Sequence, residues 1–180
     1  MTTAFPRLVI GITGHRQLAE PEHLAAKIDA VIDEIVRQAA FTGSPRQVLT
    51  GDKTPPLRLV VLSPLAEGAD RLVAERVLSL PGSELEVVLP LEETDYEADF
   101  ADEASKEEFR SFLARAKTVH RLPGSADRKA AYAAAGRFVV DHCDVLIAVW
   151  DGRPGDGPGG TADAVAYARS RTRRLSIIEP

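Results

Sequence analysis

At 180 residues the chain is long enough for one domain with a full hydrophobic core and short for two. Its 27 acidic against 22 basic side chains leave a net charge of −5, which disfavours nucleic acid as the main partner. The single cysteine, Cys143, excludes an internal disulfide and suits a reducing, cytoplasmic setting. No apolar run nears the about 20 residues of a membrane-spanning helix, and the opening MTTAFPRLVI lacks a signal-peptide pattern.

The first expected element is RLVIGIT, Arg7 to Thr13, a β-branched apolar run of strand length. Leu24, Ile28, Val31, Ile32, Ile35 and Ala39 then recur at helical spacing behind Pro21, a natural first helical residue. Thr42 to Pro56 is rich in Gly, Pro, Thr and Ser and reads as a surface connection, with room for a short extended piece at QVL. LRLVVLS, Leu57 to Ser63, is the second buried strand. Ala69, Leu72, Val73, Val77 and Leu80 form one helical face that Pro81-Gly82 ends. LEVVLP, Leu85 to Pro90, is the third strand. Ser105 to Glu108 has capping-box spacing ahead of Phe109, Phe112, Leu113 and Ala116, and TVHRL is a weak strand. An alanine-rich helix covers Asp127 to His142. DVLIAVW, Asp144 to Trp150, is the strongest strand signal; a glycine-rich stretch, a helix from Thr161 and the strand RRLSIIE complete the chain. Strands apolar throughout and alternating with helices predict one three-layer α/β/α domain with a mainly parallel, Rossmann-like sheet.

In such a sheet ligands bind at the carboxyl ends of the strands, near the switch in strand order. The loops that follow the strands therefore carry the candidate site. They are Gly14-His15-Arg16; SPLAEGADR with Ser63, Glu67, Gly68 and Asp70; Pro90-Leu91-Glu92; and Asp151-Gly152 through Gly159-Gly160-Thr161 to Asp163. Glycines let backbone amides approach a ligand, and a helix starting at Thr161 turns unpaired N–H groups and a positive dipole end toward an anion. The expected guest is a nucleotide-type small molecule.

Each residue also has a structural explanation. Gly14 relieves a tight turn as readily as it contacts a ligand, and His15 can cap a carbonyl. Arg16 invites an anion but can equally pair with Glu67 or Asp70. Asp163 suits the first helical turn, and so close to a phosphate it would serve ribose hydroxyls instead. Cys143 reads as core. The acidic run from Glu92 to Glu108, with Glu20 and Glu22, reads as solvated surface, and Arg169, Arg171, Arg173 and Arg174 as a helix end. Four histidines without metal-ligand spacing predict no zinc site, and magnesium carried in with a phosphorylated ligand is the one cofactor left open. No Walker or dinucleotide fingerprint of standard spacing is present.

IGITGHRQL, SPLAEGADRLVAE, VVLPLEETDYEADF, AAYAAAGRFVVDHCDVLIAVWDG and GPGGTADAVAYAR together resemble the SLOG superfamily. That superfamily includes the LOG phosphoribohydrolases, the DNA-processing protein DprA and the N-terminal domains of melastatin-type TRP channels. The resemblance covers nearly the whole chain, is weakest over Thr42 to Pro56, and is closest to bacterial SLOG domains that sense nucleotide-derived ligands. It implies binding of a nucleoside phosphate, or of an ADP-ribose or NAD derivative, over the loops named above. It also implies a homodimer or an effector-protein partner.

The enzymatic branch carries an Arg-Lys pair, a strand, and then Pro-Gly-Gly-x-Gly-Thr-x-x-Glu. Arg128-Lys129 resembles the pair, although a solvated first helical turn explains it as well. The glycine motif departs in three ways. DGRPGDG is inserted before it, one glycine before Thr161 is missing, and Ala164 stands where the glutamate would be. Without that carboxylate the expected activity is binding rather than cleavage, with Glu67, Arg128 and Asp163 as the only substitutes for a phosphoribohydrolase reaction. A DprA-like single-strand DNA binder is disfavoured by the charge and by the lack of aromatics interleaved with basic residues.

Overall fold

Apolar runs of four to eight residues pair into one sheet. The computed structural model describes residues 7–41, 57–125, 127–155 and 157–180. Its strands are β1 (Arg7–Gly14), β2 (Arg58–Ser63), β3 (Glu84–Leu89), β4 (Thr118–Arg121), β5 (Val145–Val149) and β6 (Arg174–Ile178). Its helices are α1 (Pro21–Phe41), α2 (Ala69–Leu78), α3 (Glu93–Glu97), α4 (Glu103–Arg115), α5 (Arg128–His142) and α6 (Thr161–Ser170). The connection from Thr42 to Pro56, with its QVL piece, lies outside the described residues.

The strand order is β4-β3-β2-β1-β5-β6, and every pairing is parallel. Side chains alternate between the two faces. Leu8, Ile10 and Ile12 of β1 join Leu24, Ile28 and Val73 on one side, whereas Val9 joins Val139, Val140 and Ala168 on the other. Right-handed crossovers explain the split. Steps from β1 to β4 run one way across the sheet and put α1, α2 and α4 on one face. The return to β5 and β6 runs the other way and puts α5 and α6 opposite. The molecule is thus a Rossmann-like α/β/α sandwich.

Gly11 lets α5 lie almost against β1. A Cβ there would sit 2.7 Å from Val139 Cγ1 and 2.9 Å from Cys143 Sγ. Cys143 is core, and burial pushes its thiol up to about 11. No described helix is long and apolar enough to cross a membrane.

Two expectations need correction. The cap of α4 is Asp102, whose carboxylate accepts from the Ser105 N–H at 2.8 Å, so the helix starts before the Ser105 box. For the acidic run the correction is partial: most of its carboxylates are exposed, as a solvated surface requires, but the segment is also folded and ion-paired. It contains α3, buries Tyr96 and Phe100, and pairs Glu93 with Arg121, Glu97 and Glu103 with Arg110, and Glu108 with Arg71. The reason is the aromatic content between the carboxylates: Tyr96 packs edge-on against Phe100 and Phe109.

Candidate functional site

Strand order reverses between β1 and β5, and the loops leaving their carboxyl ends part there. A cleft of about 440 Å³ opens at this point, a size that suits a small ligand. It is lined by the end of β1, the β2–α2 and β5–α6 loops, the start of α6 and one face of α5. Gly14, His15, Arg16, Asp70, Asp151, Gly159, Gly160, Thr161 and Asp163 all border it. Ser63, Glu67, Gly68 and Arg128 are not among its lining residues.

The α6 end supplies donors. Gly160 caps the helix without a side-chain bond, and Ala164 is the first N–H to reach its carbonyl, at 3.1 Å. Among the described residues nothing accepts from the amides of Thr161, Ala162 and Asp163, all of which border the cleft. Asp163 turns back, its Oδ2 accepting from the Gly159 N–H at 3.1 Å. Gly159 has φ +88°, and a Cβ on it would stand 2.9 Å from Tyr132 Cβ, so the loop is pressed onto α5.

The β1 end is a clamp of main chain on main chain. His15 N–H donates to the Val149 carbonyl at 3.2 Å, and the His15 carbonyl accepts from Ala69 N–H at 3.0 Å. Gly14 and Gly68 make this closeness possible. A Cβ at Gly14 would lie 2.4 Å from Ala69 Cβ, and one at Gly68 would lie 2.2 Å from the Arg16 carbonyl oxygen. Gly68 therefore serves the fold and turns away from the cleft. Since Ala69 N–H is taken, the α2 start offers the cleft less than the α6 start does.

Arg16 is exposed, with its guanidinium 5.7 Å from the Tyr132 ring centroid. It makes no ion pair with Glu67, Asp70 or any other described carboxylate, which leaves its charge to the cleft. His15 Nε2 lies 3.3 Å from both the Asp151 N–H and its carboxylate. A hydrogen bond from the Arg153 N–H, helped by the charges of His15 and Arg153, holds the Asp151 carboxyl below the usual aspartate range.

Asp70 forms the floor and is 4% exposed. Its Oδ2 accepts from the Ser63 hydroxyl at 3.2 Å and the Ala66 N–H at 3.3 Å. Burial pushes its carboxyl up to about 7, outweighing those bonds and the nearby Arg16 and Arg71. Ser63 is wholly buried and also accepts from Leu65 N–H at 2.9 Å, so it holds the loop and Asp70 rather than facing the cleft. Burial likewise raises the Tyr96 phenol beside it.

Two acid–base candidates point elsewhere. Glu67 accepts from Ala101 N–H at 2.8 Å and from the Ser105 hydroxyl, tying the β2–α2 loop to α4. Burial works to raise its pKa, but these two bonds prevail and hold it below the usual range. Arg128 donates to the Asp95 carbonyl and pairs with Asp99, each at 2.8 Å, beyond the cleft wall.

Sequence reasoning missed the α5 wall. Tyr132 donates its hydroxyl to Asp99 and carries Arg16, and Arg137 borders the cleft while stacked 5.6 Å from the Tyr167 ring. The available signal was an aromatic and an arginine standing in an otherwise alanine-rich helix. Among the described residues no three His, Cys, Asp or Glu side chains gather as a metal site. No protein-family model matches the chain, and no curated protein matches it.

Proposed function

We propose that the chain is a SLOG-type module that binds, and through binding senses, a nucleotide or nucleotide-derived phosphate. The observation that carries this reading is the α6 start: three unaccepted amides at a helix N-terminus open onto the cleft where strand order reverses. Arg16 and Arg137 stand around the same cleft without a carboxylate partner among the described residues and favour an anion, beside Arg153, which pairs with Asp151. A magnesium ion would arrive with the ligand's phosphates, which supply most of its ligands.

Binding without cleavage follows from the carboxylates present. Ala164 occupies the position at which the enzymatic relatives place a glutamate, and Asp163 and Asp151 are engaged by backbone amides. One observation favours a second reading, phosphoribohydrolase chemistry: Asp70 borders the cleft with its carboxyl pushed up to about 7, near the optimum for proton transfer at neutral pH.

Thermal unfolding with AMP, ADP, ADP-ribose, NAD and cyclic nucleotides, with chromatography for released base, separates the two. A ligand at 100 times its Kd stabilises by about 2.7 kcal/mol. For a chain of this size that raises Tm by about 5–11 °C. Stabilisation without product supports a sensor, and base release with turnover supports the hydrolase. A flat response to the whole panel removes both.

A further inference from the structure

We propose that Asp70 is the ribose reader of the cleft: its free Oδ1 accepts a sugar hydroxyl and so selects ribonucleotides over deoxyribonucleotides. The proposal rests on the nucleotide-binding reading above and adds the substrate class to it.

The two oxygens of this carboxyl are not equivalent. Oδ2 is saturated, accepting from the Ser63 hydroxyl and the Ala66 N–H. Oδ1 accepts from no described group, although the residue is 4% exposed and borders the cleft. Oδ1 is not one of the buried polar atoms left without a partner, so it keeps contact with solvent, and the cleft is the side from which a ligand donor replaces that water. A bidentate partner, such as a guanidinium or a guanine edge, needs both oxygens and is excluded by the saturation of Oδ2.

Charge narrows the donor further. Of the charged groups bordering the cleft, Arg153 pairs with Asp151 at 3.6 Å and Asp163 is engaged by the Gly159 N–H, which leaves Arg16 and Arg137 as guanidiniums without a carboxylate partner among the described residues that disfavour a cationic donor. What remains is a neutral donor on an anionic molecule. A ribose hydroxyl is that donor in a nucleoside phosphate, with the phosphate at the α6 amides.

The test variant is Asp70→Asn. The Ser63 hydroxyl and Ala66 N–H both donate, so the asparagine must turn its carbonyl toward them and present its NH₂ where Oδ1 was. The polarity facing the cleft reverses at nearly constant shape. Calorimetric titrations of wild type and variant use AMP, 2′-deoxy-AMP, 3′-deoxy-AMP and IMP, at about pH 8, where a carboxyl with a pKa of about 7 is mostly ionised.

For wild type, at least one deoxy analogue binds about 10- to 100-fold more weakly than AMP. In the variant the hydroxyl can only accept from the new NH₂, a neutral bond in place of a charge-assisted one, so AMP weakens and its margin over that analogue shrinks. Equal affinities of AMP and both deoxy compounds for wild type overturn the assignment while nucleotide binding stands. So does a variant that loses AMP but keeps IMP, since the base amino group would then be the donor. No binding of any of the four by wild type overturns the assignment, and the reading beneath it falls with a flat thermal response to the whole panel above. The wild-type series decides on its own should the variant fail to fold.

Discussion

At Gly68 the backbone stands at φ 77°, ψ −119°, and a Cβ would fall 2.2 Å from the Arg16 carbonyl oxygen. Gly68→Ala is therefore expected to cost about 2–4 kcal/mol, from backbone strain and from a clash with main chain that cannot swing aside. Gly124→Ala, into open space, should stay within about 0.5 kcal/mol. Urea unfolding of the two variants checks both values. Gly14 and Gly68 were legible as special positions, but their reason was not. A one-dimensional pattern shows that a side chain is absent, not whether a ligand or another backbone fills the space. Asp70 yields a sharper test. Its carboxyl is raised from an ordinary 3.8 to about 7 by burial, so between those values the unfolded chain ionises while the folded one stays protonated. Stability from this group is full below about pH 4 and is lost as pH rises through 7. The stability of wild type minus that of Asp70→Asn should fall across this window by about 4 kcal/mol, at about 1.4 kcal/mol per pKa unit. Taking the difference cancels the carboxylates that act oppositely, such as Glu97, held low by Arg110. A difference flat with pH would mean that Asp70 is ionised throughout.

Helix α5 is where an element and the site depend on each other. Asp99, next to α3, accepts the Tyr132 hydroxyl and pairs with Arg128, both from α5. Tyr132 in turn lies beneath Arg16. Asp99→Ala strands a half-buried phenol and loosens the platform for Arg16. The expected result is a loss of about 1–3 kcal/mol in unfolding free energy, together with weaker AMP binding. Rescue of stability but not affinity by Tyr132→Phe in the same background would locate the affinity effect in the phenol rather than the ring. This link was invisible in the sequence because the partners are 33 positions apart. The elements themselves were mostly legible. β1, β2 and β5 are buried on both faces and are apolar at most positions, and β3 is so from Val87 to Leu89 after its Glu84 and Glu86, a pattern that survives without tertiary information. β4 gave a weak signal because it is an edge strand with exposed ends. α3 gave none: five residues, three of them acidic, hold helix only through Tyr96 and the arginines of neighbouring elements.

Across the whole molecule the net charge of −5 is set against a cleft whose three arginines, Arg16, Arg137 and Arg153, face three aspartates, Asp70, Asp151 and Asp163. Arg71, Arg110 and Arg121 are paired with Glu108, Glu97, Glu103 and Glu93 of the acidic run and are thereby withdrawn from any phosphate-binding surface. Arg171 is similarly committed to Asp141. What remains for an anion is local: Arg16 and Arg137 with the α6 amides, Arg153 being paired with Asp151, which is enough for one phosphorylated molecule and too little for a polymer backbone. Salt dependence follows. A surface making 6–10 phosphate contacts loses about 10³–10⁵ in affinity between 50 and 200 mM salt, whereas a cleft engaging one or two phosphates through amides and a few guanidiniums should lose about tenfold or less. Titrating AMP and a single-stranded 20-mer at both salt concentrations is the measurement. AMP should bind at each with a shallow slope, and the oligonucleotide should show no binding at the higher salt. Tight, steeply salt-dependent capture of the 20-mer would make the cleft one end of a longer groove and the mononucleotide an incidental fragment of the true ligand.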